Sequence, residues 1–240
     1  MKNSKVYSDK VQKLYRKLQK KYKKPEKPEY EDPVDALVFG VLLENFSEKQ
    51  ALDGIKEIDR HFVDYNDLRV ASAIETAEVL DGSAQAKKAG IELYHALNAI
   101  FVEHNCLSLK HLLKTGKRQA KANLEKYEQI SHFVANYIAL TALDAHAIAL
   151  NEAMINYLRE NELVNPESDE ADIEGFLTRL VSADDTYDFY VLLRRESEGS
   201  KLGLRSSSTP KTKKTSKSHK KTTKKAKKTR KKAKKTKTKK

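Results

Sequence analysis

The sequence predicts an all-α protein, and three observations carry that reading. From Pro33 onward apolar residues recur at three- and four-residue intervals almost throughout the chain, up to a lysine-rich end. No segment shows sustained period-two alternation with turn pairs of the hairpin type. Helix start and stop signals bound the periodic segments. Roughly nine to eleven helices are expected.

The elements follow in chain order. Val11, Leu14, Tyr15, Leu18 and Tyr22 recur at helical spacing among lysines, which predicts a basic amphipathic arm over 1–28 with one face on the body. "KKPEKPEYEDP" ends it, because proline lacks the amide donor and biases the preceding residue away from helix. "DPVDALVFGVLLENF" starts well, with Asp32 before Pro33. Its Val34, Leu37, Val38, Val41 and Leu42 form an apolar stripe. "SEKQALDGIKEIDRHF" begins with Ser47 and carries Gln50 three residues on, the spacing of a capping box. "DLRVASAIETAEVL" and "AQAKKAGIELYHALNAIFVEHN" give the next two helices, and "LSLKHLLKTG" a shorter one that stops near Gly116. "RQAKANLEKYEQ" follows. "KYEQISHFVANYIALTALDAHAIALNEAM" reads as two helical segments joined at a bend. "DEADIEGFLTRLVS" and "DDTYDFYVLLRRES" complete the helical body, with Tyr187 and Tyr190 on the inner face of the last helix.

Composition narrows the function classes. The 240 residues suffice for one core of about 150–200 residues plus appendages. Hydrophobic residues make up 39% and charged residues 34%, which fits a soluble protein with a charged surface. No apolar run could span a bilayer, and no apolar stretch of a signal peptide follows "MKNSKVYSDK". Cys106 is the single cysteine. It excludes an internal disulfide framework and any four-cysteine zinc or iron–sulfur site, so no cofactor is expected. A reducing, intracellular setting is the natural expectation, in cytoplasm, nucleoid or nucleus.

The net charge of +13 is unevenly spread. Residues 211–240 hold 18 Lys/Arg and no acid, and residues 1–27 hold 11 Lys/Arg against Asp9 and Glu26. Residues 28–210 then hold 18 basic and 32 acidic residues, a net −14. The expected organisation is the arm over 1–28, a helical domain over 29–198 and a disordered tail over 199–240. The tail has almost no apolar residue, so burial cannot offset the entropy of ordering it. A flexible polycation neutralises phosphates and releases their counterions, giving sequence-independent, salt-sensitive binding. Its phosphate-facing residues are Lys211, Lys213, Lys214, Lys220, Lys221, Lys224, Lys225, Lys227, Lys228, Arg230, Lys231 and Lys232. The expected partner is DNA, mostly its backbone. Acidic lipid fits less well, because the tail carries no aromatic or apolar anchor.

Three segments carry a resemblance: "DPVDALVFGVLLENFSEKQA", "AQAKKAGIELYHALNAIFVEHN" and "YEQISHFVANYIALTALDAHAIALNEAM". Their order and helix pattern resemble the endonuclease III, or helix-hairpin-helix-GPD, superfamily of base-excision DNA glycosylases over roughly Glu29 to Arg195. The resemblance implies a two-lobed helical fold, a DNA-gripping hairpin, and a lysine or an aspartate for chemistry. Where the family has Leu-Pro-Gly-Val-Gly, this chain has Tyr127, Glu128, Gln129, Ile130 and Ser131. Gln129 and Ser131 thus stand for glycines that permit positive φ and close approach to a phosphate, so a remodelled turn is expected. Phe133 stands at the lysine nucleophile's position, and an aromatic ring cannot form a Schiff base. Asn151 stands at the aspartate's position, where it supplies neither negative charge nor a proton acceptor. Glu152 and Asp144 are the nearby substitutes, with Asp144 about two turns upstream on a helical spacing. The family inserts a side chain into the duplex after its first long helix, and Phe46 falls near that place. The alternative for Phe46 is a ring that covers the core at a helix end.

Other candidates are weaker. His61, His95, His104, His111, His132, His146 and His219 form no metal-ligand spacing, and Asp144 with His146 lacks a third ligand. Phosphate-loop, dinucleotide and nucleophile-elbow motifs are absent. Cys106 beside His104 is read as a buried structural thiol. The acidic "NPESDEADIEG" suits a helix N-terminus. Three functions remain open: a DNA-binding protein on a glycosylase-like scaffold without excision chemistry, its affinity from the tail helped by the arm; an active monofunctional glycosylase using Glu152 or Asp144; or a protein-interaction module whose acidic body docks a basic partner or its own tail.

Overall fold

The computed structural model describes residues 4–207, and the lysine-rich segment beyond them lies outside the described residues. Every regular element among those residues is a helix. There are twelve: α1 (Ser4–Lys21), α2 (Pro33–Asn45), α3 (Glu48–His61), α4 (Tyr65–Val70), α5 (Ala73–Leu80), α6 (Ala84–His104), α7 (Lys110–Leu113), α8 (Lys117–Leu124), α9 (His132–Thr141), α10 (Glu152–Glu160), α11 (Glu170–Leu180) and α12 (Thr186–Ser207). The expected count falls short by one at "DLRVASAIETAEVL". Ala71 and Ser72 are extended there, and the Ser72 hydroxyl accepts from the Glu75 N–H to start a new helix. A serine that can cap competes with continuation of the helix it follows.

Two helices form the centre. On α2, Val34, Ala36, Leu37, Val38, Gly40, Val41, Leu42 and Leu43 are all buried, so the helix has almost no polar face. On α9 every residue from Phe133 to Thr141 is buried. A helix apolar all round belongs inside. They cross at Gly40, where an added Cβ would lie 3.1 Å from the Tyr137 ring. Asp32 caps α2 through Val34 N–H and also accepts from Ser108 Oγ and Leu109 N–H, tying α2 to the start of α7. Ser47 and Gln50 close the capping box of α3. α5 lies so close to α6 that a Cβ at Gly90 would sit 2.4 Å from the Ala73 carbonyl oxygen.

α2 to α9 make one lobe. In the other, α1 and α10 pack on α12, and α9 meets α12 between the two lobes. Val11, Leu14 and Leu18 of α1 are buried, with Tyr15 and Tyr22 partly buried beside them. The Tyr15 hydroxyl donates to Asp185 and that of Tyr22 to Glu196. The segment from Tyr22 to Asp32 then crosses back to the first lobe. Cys106 is exposed, contrary to the buried thiol expected from sequence. α6 ends at His104 with Asn105 left-handed (φ 53°), which turns the chain and Cys106 outward.

Candidate functional site

The hairpin is built from α8, a turn over 125–131, and α9. Tyr127 and Ile130 are buried and anchor the turn, and Ile130 N–H donates to the Tyr127 carbonyl at 3.0 Å. Between them Glu128 and Gln129 are exposed. None of the turn residues has a positive φ, so Gln129 and Ser131 adopt the turn without strain. Ser131 caps α9: its hydroxyl accepts from Val134 N–H and donates to Glu44 Oε2 at 2.6 Å.

Two of the protein's own carboxylates attend the first turn of α9. Glu44 comes from the last turn of α2, and burial, then the Glu92 charge, raises its pKa. Glu174 of α11 lies 2.6 Å from His132 Nε2 and accepts from Asn136 Nδ2 at 3.0 Å. The hydrogen bond to Glu174 raises the pKa of His132. Lys121 stands 3.7 Å from the same carboxylate. A helix N-terminus attracts an anion. Here internal acids already sit beside that position.

Phe133 is 4% exposed. Its ring stacks on Tyr137 at 6.5 Å and 15°, and Tyr137 in turn meets Tyr190 at 5.9 Å and Phe39 at 6.2 Å. The hydroxyls of Tyr137 and Tyr30 share a hydrogen bond of 2.9 Å. Burial pushes the Tyr30 phenol up to about 12 and that of Tyr137 far beyond its ordinary range. These phenols stay neutral, so the cluster is an apolar filling with one internal hydrogen bond. The Tyr22–Asp32 segment holds it from outside. Tyr187 donates to the Glu26 carbonyl at 3.0 Å, and Lys27 pairs with Asp144.

The remaining candidates fall at separate places. Asn151 is the N-cap of α10, with φ −92° and ψ 167°, and its Oδ1 accepts from Met154 N–H at 3.0 Å. Glu152 is exposed in the first turn and forms no ion pair among the described residues. The helical spacing expected between Asp144 and Asn151 does not exist. Residues 142–151 connect α9 to α10 without regular structure, and Asp144 is left-handed there (φ 50°). Its carbonyl also accepts from Lys117 Nζ at 2.6 Å. The apolar run Ala147–Ala149 is buried in this connection, and burial rather than helical packing explains its hydrophobicity. Phe46 closes α2 and is half-buried against the core. Arg194, 2% exposed, donates to the carbonyls of Leu43 and Phe46 at 2.7 and 2.8 Å and pairs with Glu198 at 2.9 Å. Arg195 grips Glu48 at two points, both 2.9 Å. The α2–α3 junction is therefore pinned to α12.

Gln129, Ser131 and Phe133 thus share one end of α9, and Glu44 links them to the last turn of α2, two residues before Phe46. Asn151 and Glu152 start a different helix. The basic candidates from Lys211 to Lys232 lie outside the described residues. Sequence reasoning missed Glu44, Glu174, Tyr30, Tyr137 and Arg194. The chain has one cysteine, so no four-cysteine cluster can form. Among the described residues no group of three or more His, Cys, Asp or Glu is placed to hold a metal ion. No helix among them is long and apolar enough to cross a membrane.

No protein-family model matches the chain, and no curated protein matches it by sequence. Solved structures do match. A trapped endonuclease III–DNA covalent intermediate aligns with TM-score 0.61 and 11% identity over 78% of this chain and 84% of that one. The Clostridium acetobutylicum 8-oxoguanine glycosylase/lyase in complex with double-stranded DNA gives 0.62 and 13% identity, over 83% and 71%. The H. pylori 3-methyladenine DNA glycosylase bound to 1,N6-ethenoadenine gives 0.58 and 15% identity, over 83% and 98%. The described helices therefore have the two-lobed fold of the endonuclease III-like DNA glycosylases.

Proposed function

We propose that this chain is a DNA-binding protein on an endonuclease III-like scaffold that has lost base-excision chemistry. The observation that carries the reading is Phe133. At the position where the resemblance puts a nucleophile stands a ring buried in an aromatic cluster, with no lone pair to offer. Asn151 supports it, because its side chain caps α10 instead of offering a charge. Neither substitute acid is well set for the role. The Asp144 carboxylate is paired with Lys27, and Glu152 stands in solvent.

DNA affinity, in this reading, comes mainly from the lysine-rich tail. The 18 positive charges of residues 211–240 are segregated from a body of net −14 over 28–210. A polyanion is attracted by the tail and repelled by the body. Removing residues after Ser207 should cut duplex affinity on the order of a hundredfold at 100 mM salt and flatten its salt dependence. A fluorescence-anisotropy titration across a salt series measures both. Equal affinity and equal slope for residues 1–207 and the full chain would sink the tail's role.

A further inference from the structure

α1 presents two faces of opposite character. Val11, Leu14 and Leu18 are buried on the second lobe. On the other side Lys13, Arg16, Lys17 and Lys20 are all exposed and line one shallow groove. The spacing of 13, 16, 17 and 20 keeps them within about 100° of the helix circumference. The only acid on α1 is Asp9, at the stripe's N-terminal end. Neighbouring lysines are absorbed by the body: Lys10 by Glu162, Lys21 by Glu196 and Lys24 by Asp188. None of the four stripe residues comes within ion-pair distance of an acid among the described residues, although, against burial, Lys21, Tyr22 and then the Lys17 charge lower the pKa of Glu196.

From this we infer that the exposed face of α1, and not the hairpin, is the surface through which the folded body meets the phosphate backbone of duplex nucleic acid. The inference rests on the DNA-binding reading and adds to it a second, folded contact. The stripe is about 10 Å long from Lys13 to Lys20. A duplex presents about six phosphates over that axial length. The hairpin side is a poor rival although α8 is basic. Lys117 is spent on the Asp144 carbonyl and Lys121 on Glu125 and Glu174, while Glu128 is exposed at the turn. A membrane surface is also a poor fit, since the exposed positions 12, 13, 16, 17, 19 and 20 are Gln, Lys, Arg, Lys, Gln and Lys, and Val6, near the helix start, is a single exposed apolar side chain on that face and not an apolar stripe.

The core runs from Val11 to Leu193, so residues 1–207 retain all of it and can be tested beside the full chain. The stripe variant carries Lys13→Glu, Arg16→Glu, Lys17→Glu and Lys20→Glu; a hairpin-side variant carries Lys110→Glu, Lys114→Glu and Arg118→Glu. Each is titrated with a 30-bp duplex from 50 to 200 mM salt, with circular dichroism confirming the fold. Should the charge reversals unfold the protein, glutamine at the same positions preserves helix propensity and answers the same question. The expected result is at least a tenfold loss for the stripe variant of 1–207, a salt slope lower by about two or more, and less than threefold loss for the hairpin-side variant. Equal binding by wild type and stripe variant overturns the inference, as does an equal or larger loss in the hairpin-side variant. It is likewise overturned if wild-type 1–207 fails to bind duplex while the full chain binds, an outcome that leaves the tail-based reading standing. No binding by the full chain instead removes the DNA-binding reading itself. Loss confined to vesicles of anionic phospholipid would assign the stripe to lipid and overturn the nucleic-acid partner.

Discussion

Phe133 and Asn151 both have structural employment. Phe133 completes an aromatic layer with Tyr137 and Tyr190. A lysine placed there would bring an ammonium among buried rings. Phe133→Lys should therefore destabilise the fold by roughly 3 kcal/mol or more, read from the urea midpoint. Equal stability would mean that the site has room and a partner for a cation. Asn151 supplies the cap of α10. Asn151→Ala should cost about 1 kcal/mol, while Asn151→Asp keeps the cap and gains from the helix dipole. Thermal melts of the two variants separate them. An Asn151→Asp protein less stable than Asn151→Ala would contradict the capping role.

Helix positions were readable where a local signal existed. Asp32 before Pro33, and Ser47 with Gln50, act over a few residues, and the structure shows both caps as the spacing predicts. The division between α4 and α5 was missed because Val70, Ala71 and Ala73 continue the apolar pattern across a serine that caps instead. The contacts that shape the candidate site were not readable at all. Glu44 reaches Ser131 across 87 residues, Tyr30 reaches Tyr137 across 107, and Arg194 reaches Leu43 across 151. Nothing in local spacing encodes such pairs. The identities at Gln129, Ser131, Phe133 and Asn151 were legible by position, but their partners came only from packing. At the α2–α3–α12 junction the two-point contact from Arg195 lowers the pKa of Glu48 below its ordinary 4.5. A depressed carboxylate contributes stability above its unfolded pKa, and that contribution is lost as pH falls through the folded value. The thermal-stability gap between wild type and Glu48→Gln should thus be full near pH 6 and shrink below about pH 4.5. A gap that is unchanged at pH 3 would contradict the ion pair's role.

On the scale of the whole molecule, the charge distribution and the fold point to different parts of one task. The helical body keeps the two-lobed shape of DNA glycosylases. Its hairpin end is attended by Glu44 and Glu174, and its aromatic layer is closed by the Tyr22–Asp32 crossing segment. Positive charge is concentrated in α1 and in residues 211–240. Binding carried by those parts would be sequence-independent and would weaken steeply with salt, whatever lesion the duplex holds. Discrimination between damaged and undamaged duplex should therefore be small.

The proposed loss of excision chemistry can be measured in the protein itself. Its direct test is single-turnover incubation of the full chain with duplexes carrying a panel of oxidised, alkylated, deaminated and mismatched bases, followed by quantification of free base. Release no faster than from the duplex alone is expected for every substrate. Base release above that background, abolished by Glu152→Gln or Asp144→Asn, would contradict the proposed loss and make the chain a working glycosylase.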